Sequence, residues 1–255
     1  MAKVLKQVRC GRLVCAVIYT QAAAGDSPRA RAEKKRASTA ARERINARTS
    51  FQKLERTLAA NFDDGDLLVT LTYDDKHLPM DREGAVRRVR SFNTKLRKAR
   101  KARGQELKYV YVTEGAYAGG RLHHHMVVNS TGQDLEELRQ LWPYGVGIQI
   151  RRLTFNKLDT YEALASYLTK EPREFGHPRV GERTWTPSLN LEQPEEVAER
   201  VPDYVTLAAP PEAETLAKLG PEVNGYGEFA WIKYLLPRDP RRKRPRTRRR
   251  KRTSS

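Results

Sequence analysis

The chain is poor in cysteine, in acidic residues and in long apolar runs, and each shortage removes a class of function. Its two cysteines, Cys10 and Cys15, lie five apart, a spacing that offers neither a disulfide framework nor a zinc cluster. No run of about 18 apolar residues occurs, so no membrane-spanning helix is expected. The opening stretch, MAKVLKQVRCGRLVCAVIYT, lacks the unbroken apolar core and small-residue cleavage site of a secretory signal, which points to the cytoplasm. Neither GxxxxGK[ST] nor HExxH is present, which argues against a built-in helicase motor and against a zincin-type hydrolase. Asp and Glu number 31 against 49 Lys and Arg, a formal net charge of +18. Such a surplus seeks a polyanion, most often nucleic acid.

The surplus is uneven. Residues 238–255, RDPRRKRPRTRRRKRTSS, hold eleven Arg or Lys and one Asp, so they carry +10 of the +18. A block of like charge with Pro and Ser is expected to be disordered and to bind phosphate without sequence preference. Its candidate DNA contacts are Arg241, Arg242, Lys243, Arg244, Arg248, Arg249 and Arg250.

Between the termini, helical and strand patterns alternate. Residues 29–60 read as a long basic helix with Phe51, Leu54 and Leu58 on one stripe. DLLVTLTYDD, 66–75, reads as a strand, and residues 82–103 as a second basic helix with Val86, Val89, Phe92 and Leu96 on one face and Gly104 as its stop. KYVYVTEG and RLHHHMVVN form an expected antiparallel hairpin. Asp134 with Glu137 suggests a capping box before a short helix, and residues 145–153 suggest another strand. Asp159 with Glu162 suggests the cap of a helix through about Lys170. After Pro172 the pattern weakens, and residues 192–228 are acidic and Pro-rich. The class is α+β: a small antiparallel sheet flanked by helices, with a disordered basic C-terminal tail.

Three of the five histidines stand together in RLHHHMVV. Side chains alternate along a strand, so His123 and His125 share a face, roughly 7 Å apart along the backbone, while His124 points to the other. Two imidazoles on one face can hold a metal if a third ligand is near, and Glu114, at the end of the preceding strand, is the candidate. Two His and one carboxylate suit a divalent ion such as Mn²⁺ or Mg²⁺. His124 is then a packing or solvent-facing neighbour. In TYEALASYLTKEP, Tyr161 falls on the apolar stripe with Leu164, Ala165 and Leu168, whereas Tyr167 lies off it with Lys170 three residues on. A tyrosine beside a cation can attack phosphorus.

These pieces, in this order, resemble the HUH endonuclease superfamily, and are most similar to the rolling-circle replication initiators of small bacterial phages and plasmids. VTLTYDD (69–75) resembles the first motif, Glu114 and Gly115 followed by Arg121, His123 and His125 the second, and Tyr167 with Lys170 the nucleophile motif. The resemblance spans about residues 60 to 195. It implies an HUH/RRM-like sheet and metal-dependent nicking and joining of single-stranded DNA at a replication origin, a hairpin being the expected shape. Glu114, His123 and His125 would hold Mn²⁺ or Mg²⁺, Tyr167 would attack the phosphate, Lys170 would lie near it, and Arg121 would touch DNA. The products would be a 5′-phosphotyrosyl link and a free 3′-hydroxyl, in a bacterial host cytoplasm. With no motor in the chain, a host helicase and polymerase would be partners.

The resemblance also suggests an organisation: an N-terminal strand or hairpin and basic helix (1–60), the HUH core (61–195), an acidic Pro-containing extension (196–236) and the basic tail (237–255). Two other readings stay open: a transposase or plasmid-mobilisation relaxase with the same chemistry, and a nucleic-acid-binding protein without catalysis.

Overall fold

Every strand among the described residues lies in one of two antiparallel five-stranded sheets. The computed structural model describes residues 3–20, 39–115, 120–145, 147–156, 158–170, 183–224 and 227–238. The chain divides into two units: Met1–Asn61 with Phe155–Tyr167 and Leu191–Pro237, and Phe62–Thr154 with Leu168–Asn190 and Arg238–Ser255. The α+β class expected from the sequence is what the structure shows, with a second sheet beside the one expected.

In the first unit, β1 (Lys3–Cys10) and β2 (Leu13–Thr20) form a hairpin. Gly11 closes it at φ +59°, and a Cβ there would lie 2.5 Å from the Ala59 carbonyl oxygen, so only glycine fits this turn. Ala59 belongs to α1 (Thr39–Asn61), whose Leu54 and Leu58 are buried as their spacing requires. The helix expected over 29–60 is therefore seen from Thr39; residues 29–38 lie outside the described residues.

The rest of this sheet comes from the C-terminal third. Its order is β8 (Glu195–Val201), β1, β2, β10 (Gly227–Leu235) and β9 (Glu214–Asn224). The sequence pattern does not announce β8, and the reason is physical. Its side chains are almost all exposed, so EEVAERV has no apolar alternation; pairing with β1 supplies the backbone partners, and Lys6 meets Glu196 at 2.5 Å. The Lys233 ammonium on β10 donates to Glu55 of α1 at 2.7 Å and to Glu162 at 2.8 Å.

The second unit holds the motifs around the histidines. Its sheet runs β6 (Ile148–Arg152), β3 (Leu67–Leu71), β5 (His123–Val128), β4 (Tyr109–Glu114) and β7 (Thr186–Pro187). The expected hairpin is β4–β5. On one face packs α2 (Arg82–Lys101), through Val89, Phe92 and Leu96, against Tyr111, Met126 and Val128. Burying each such side chain contributes about 1.5–3 kcal/mol. The Asp81 carboxylate accepts the Gly84 N–H at 2.6 Å and caps α2, and Gly104, at φ +68°, follows its end.

Three local expectations are corrected. In α3 (Asp134–Leu141) no capping box forms. The Asp134 carboxylate turns back to the Thr131 and Gly132 N–H groups at 2.9 and 3.0 Å, and Glu137 meets Arg100 at 3.1 Å and also pairs with Arg103. In α4 (Tyr161–Leu168) the cap is Thr160, whose hydroxyl accepts the Ala163 N–H at 3.0 Å, because the Asp159 backbone is held in a turn by Asn156. That helix ends at Leu168, before Lys170. The strand expected over 145–153 is confined to Ile148–Arg152. The basic tail, including Arg241, Arg242, Lys243, Arg244, Arg248, Arg249 and Arg250, lies outside the described residues.

Candidate metal centre

Hairpin register sets the site. Glu114 pairs directly with His123 across β4–β5, and His125 lies two residues further along the same face. The Nε2 atoms of His123 and His125 are 3.2 Å apart, and the Glu114 Oε2 lies 3.6 Å from the first and 3.5 Å from the second. Donor atoms at these separations can all reach one ion at about 2.1 Å.

The supporting hydrogen bonds fix which nitrogens face inward. His123 Nδ1 donates to the Arg121 carbonyl oxygen at 2.9 Å, and a carbonyl can only accept, so Nε2 is left with its lone pair. His125 Nδ1 lies 3.0 Å from the Thr70 hydroxyl, which can accept in the same way. Two imidazole lone pairs and a carboxylate then converge on one point. The other carboxylate oxygen, Glu114 Oε1, is buried with no hydrogen-bond partner among the described residues. Such convergence calls for a cation, and the residues present fit a divalent metal. Burial pushes the Glu114 carboxyl up, but hydrogen bonds and charge from His123 and His125 outweigh it and hold it down at about 2. The carboxylate is thus ionised at any pH where metal chemistry would run.

His124 takes the other face, as alternation requires, and is fully buried. Its Nε2 is 2.7 Å from the Tyr73 hydroxyl and its Nδ1 is 3.0 Å from the Thr113 hydroxyl. Trp142 packs edge-on at 5.8 Å, and its indole N–H donates to the Thr72 carbonyl at 2.8 Å. Burial, helped by the charges of His123, Arg82 and His125, pushes the His124 pKa down to about 3. The ring is a neutral core group that locks the strand between its two outer neighbours.

The remaining candidates are placed as follows. Tyr161 is buried and stacks on Phe155 with ring centroids 3.8 Å apart. Tyr167, on α4, is 39 % exposed. Lys170 is exposed beyond the end of that helix. The Arg121 guanidinium donates to the Tyr73 carbonyl at 2.9 Å and pairs with Asp75 at 2.7 Å. Sequence reasoning missed Thr70, Tyr73 and Thr113 as supports. The signal for Thr70 is the cross-strand pair Thr70↔His125, which appears only once β3 and β5 are in register.

Residues 66–172 match the replication-associated protein ORF2 family. The matched span runs from β3 through α4 and contains the metal triad, Tyr167 and Lys170. It is consistent with a replication initiator. No curated protein and no solved structure matches the chain. Among the described residues no helix is long and apolar enough to cross a membrane.

Proposed function

We propose that this chain initiates rolling-circle replication by nicking single-stranded origin DNA. The observation that carries the reading is the convergence of Glu114, His123 and His125 inside the stretch that matches a replication-associated family. A divalent ion held by these three residues, Mn²⁺ or Mg²⁺, would polarise the scissile phosphate and offset charge in the crowded transition state. The Tyr167 hydroxyl gives up its proton to solvent and attacks phosphorus. The bond from phosphorus to the 3′-oxygen breaks, and that oxygen takes up a proton. The result is a 5′-phosphotyrosyl link with a free 3′-hydroxyl, the end a host polymerase extends after a host helicase opens the duplex. Reverse attack by a 3′-hydroxyl rejoins the strand without ATP, because the ester stores the energy of the broken bond. Lys170 steadies phosphate charge during both steps. Arg121 and the basic tail hold the DNA backbone, which supplies affinity more than sequence choice.

The test is incubation of labelled single-stranded origin DNA with the full chain and Mn²⁺. A covalent adduct is expected in the wild type and is lost in Tyr167→Phe. An adduct that survives in Tyr167→Phe and vanishes in Tyr161→Phe would move the nucleophile. Full nicking by His123→Ala in EDTA would remove the metal from the mechanism.

A further inference from the structure

The second unit carries another site, on the α2 side of its sheet. An open cleft of about 1290 Å³ lies there, larger than the ~300–1,000 Å³ of a small-molecule pocket. None of Glu114, His123 or His125 lines it. Five arginines do: Arg82, Arg87 and Arg90 from α2, Arg121 before β5, and Arg183 before β7. Two acids share the wall, and both are engaged. Asp81 caps α2 through the Gly84 N–H, and Glu83 lies 3.9 Å from Arg87.

Apolar groups fill the gaps between charges: Leu78, Val86, Leu122 and the fully exposed Met80. Tyr111, from β4, also lines the cleft; the side chain is 3 % exposed, and its hydroxyl is buried with no hydrogen-bond partner among the described residues. Leaving such a hydroxyl unpaired is costly, so it marks a place for a ligand atom. By strand alternation Tyr111 and Thr113 face the α2 side with His124, away from Glu114.

We propose that this cleft is a second binding groove for single-stranded DNA, holding a stretch of the strand remote from the bond being cut. Arg82, Val86 and Arg90 recur every four residues along α2, so the two arginines stand about 12 Å apart and meet successive backbone phosphates. The exposed Met80 and Leu78 offer apolar surface to sugars and bases, and the Tyr111 hydroxyl takes one base edge or phosphate oxygen at the floor. Arginine with apolar surface, without a closed pocket, is the chemistry of a strand and not of a free nucleotide. The choice of DNA as ligand rests on the function proposed above.

The experiment measures fluorescence anisotropy of a labelled single-stranded oligonucleotide with the full chain in EDTA, across a salt series, so no cutting occurs. Arg87→Ala/Arg90→Ala is expected to weaken binding about tenfold and to lower the slope of log affinity against log salt by about 1.4, the value for two lost phosphates on a single strand. Lys95→Ala/Lys98→Ala removes the same charge from the same helix outside the cleft and should leave affinity near wild type. Tyr111→Phe is expected to weaken binding about threefold with the slope unchanged, since the lost group is neutral. An arginine pair variant that behaves like the lysine pair, or a Tyr111→Phe chain that binds as wild type, overturns the proposal. A wild-type chain that binds in this way but forms no covalent adduct with Mn²⁺ defeats the nicking reading and leaves the cleft standing.

Discussion

At the scale of single residues, the most informative side chain is one with no ligand role, Thr70. Its hydroxyl sits 3.0 Å from His125 Nδ1 and fixes which nitrogen faces the metal position. Thr70→Val keeps the shape and removes that acceptor. We expect Mn²⁺ affinity, read by calorimetry, to fall about tenfold to a hundredfold with little change in melting temperature. The thiols give a pH prediction. Burial, with a smaller push from Cys15, raises the Cys10 pKa from 9.0 to about 12. Between those values the unfolded chain has lost the proton that the folded chain keeps. The unfolded state then binds fewer protons, so stability falls as pH rises, by at most about 1.4 kcal/mol per pH unit. Thermal unfolding at pH 8 and pH 10 should therefore show a smaller drop in Cys10→Ala than in wild type. The metal triad itself was legible in the sequence because strand alternation turns residue number into direction: it separated His123 and His125 from His124. Thr70 was not legible, since its partner is 55 residues away and register is a property of the folded sheet.

At the scale of elements, Arg100 does the most to join helix to helix. It is fully buried, donates to Asp134 and Glu137 at 3.1 Å each, and reaches the Asn129 carbonyl at 2.8 Å. It thereby ties α2 to α3 and to the segment after β5. Burial works against the ionised Asp134, but hydrogen bonds from Thr131, Ser130 and Gly132 outweigh it and lower its pKa. Removing the guanidinium leaves two buried carboxylates facing one another. Arg100→Ala should cost about 3–5 kcal/mol in chemical denaturation, while the exposed Lys101→Ala should fall within about 0.5 kcal/mol of wild type. Elements with one buried face, such as α2 and β5, announced themselves by period. Those that lean on backbone pairing alone, such as β8, did not. The short helix α3 was found by its leucines, yet its acids were assigned to a cap when they serve Arg100 and Arg103 instead.

At the scale of the whole molecule, the two sheets differ in how they use the chain. The strands β3, β4, β5 and β6 fall within Phe62–Thr154, whereas the other sheet joins residues 3–20 to residues 195–235. Leu13 pairs with Leu235, and Lys3 with Val201. A chain ending at residue 190 should thus lose hydrogen-exchange protection in β1 and β2, which then have no partners but each other, and keep it in β3, β4 and β5. Uniform loss or uniform retention would contradict that division. The same topology sets a timetable during synthesis. Ribosomes add about 5–20 residues per second, so once Thr154 is made another several seconds pass before Leu235 appears. Throughout that interval the nascent chain can display its histidine strand already folded, while its first hairpin waits for the last strand to be translated.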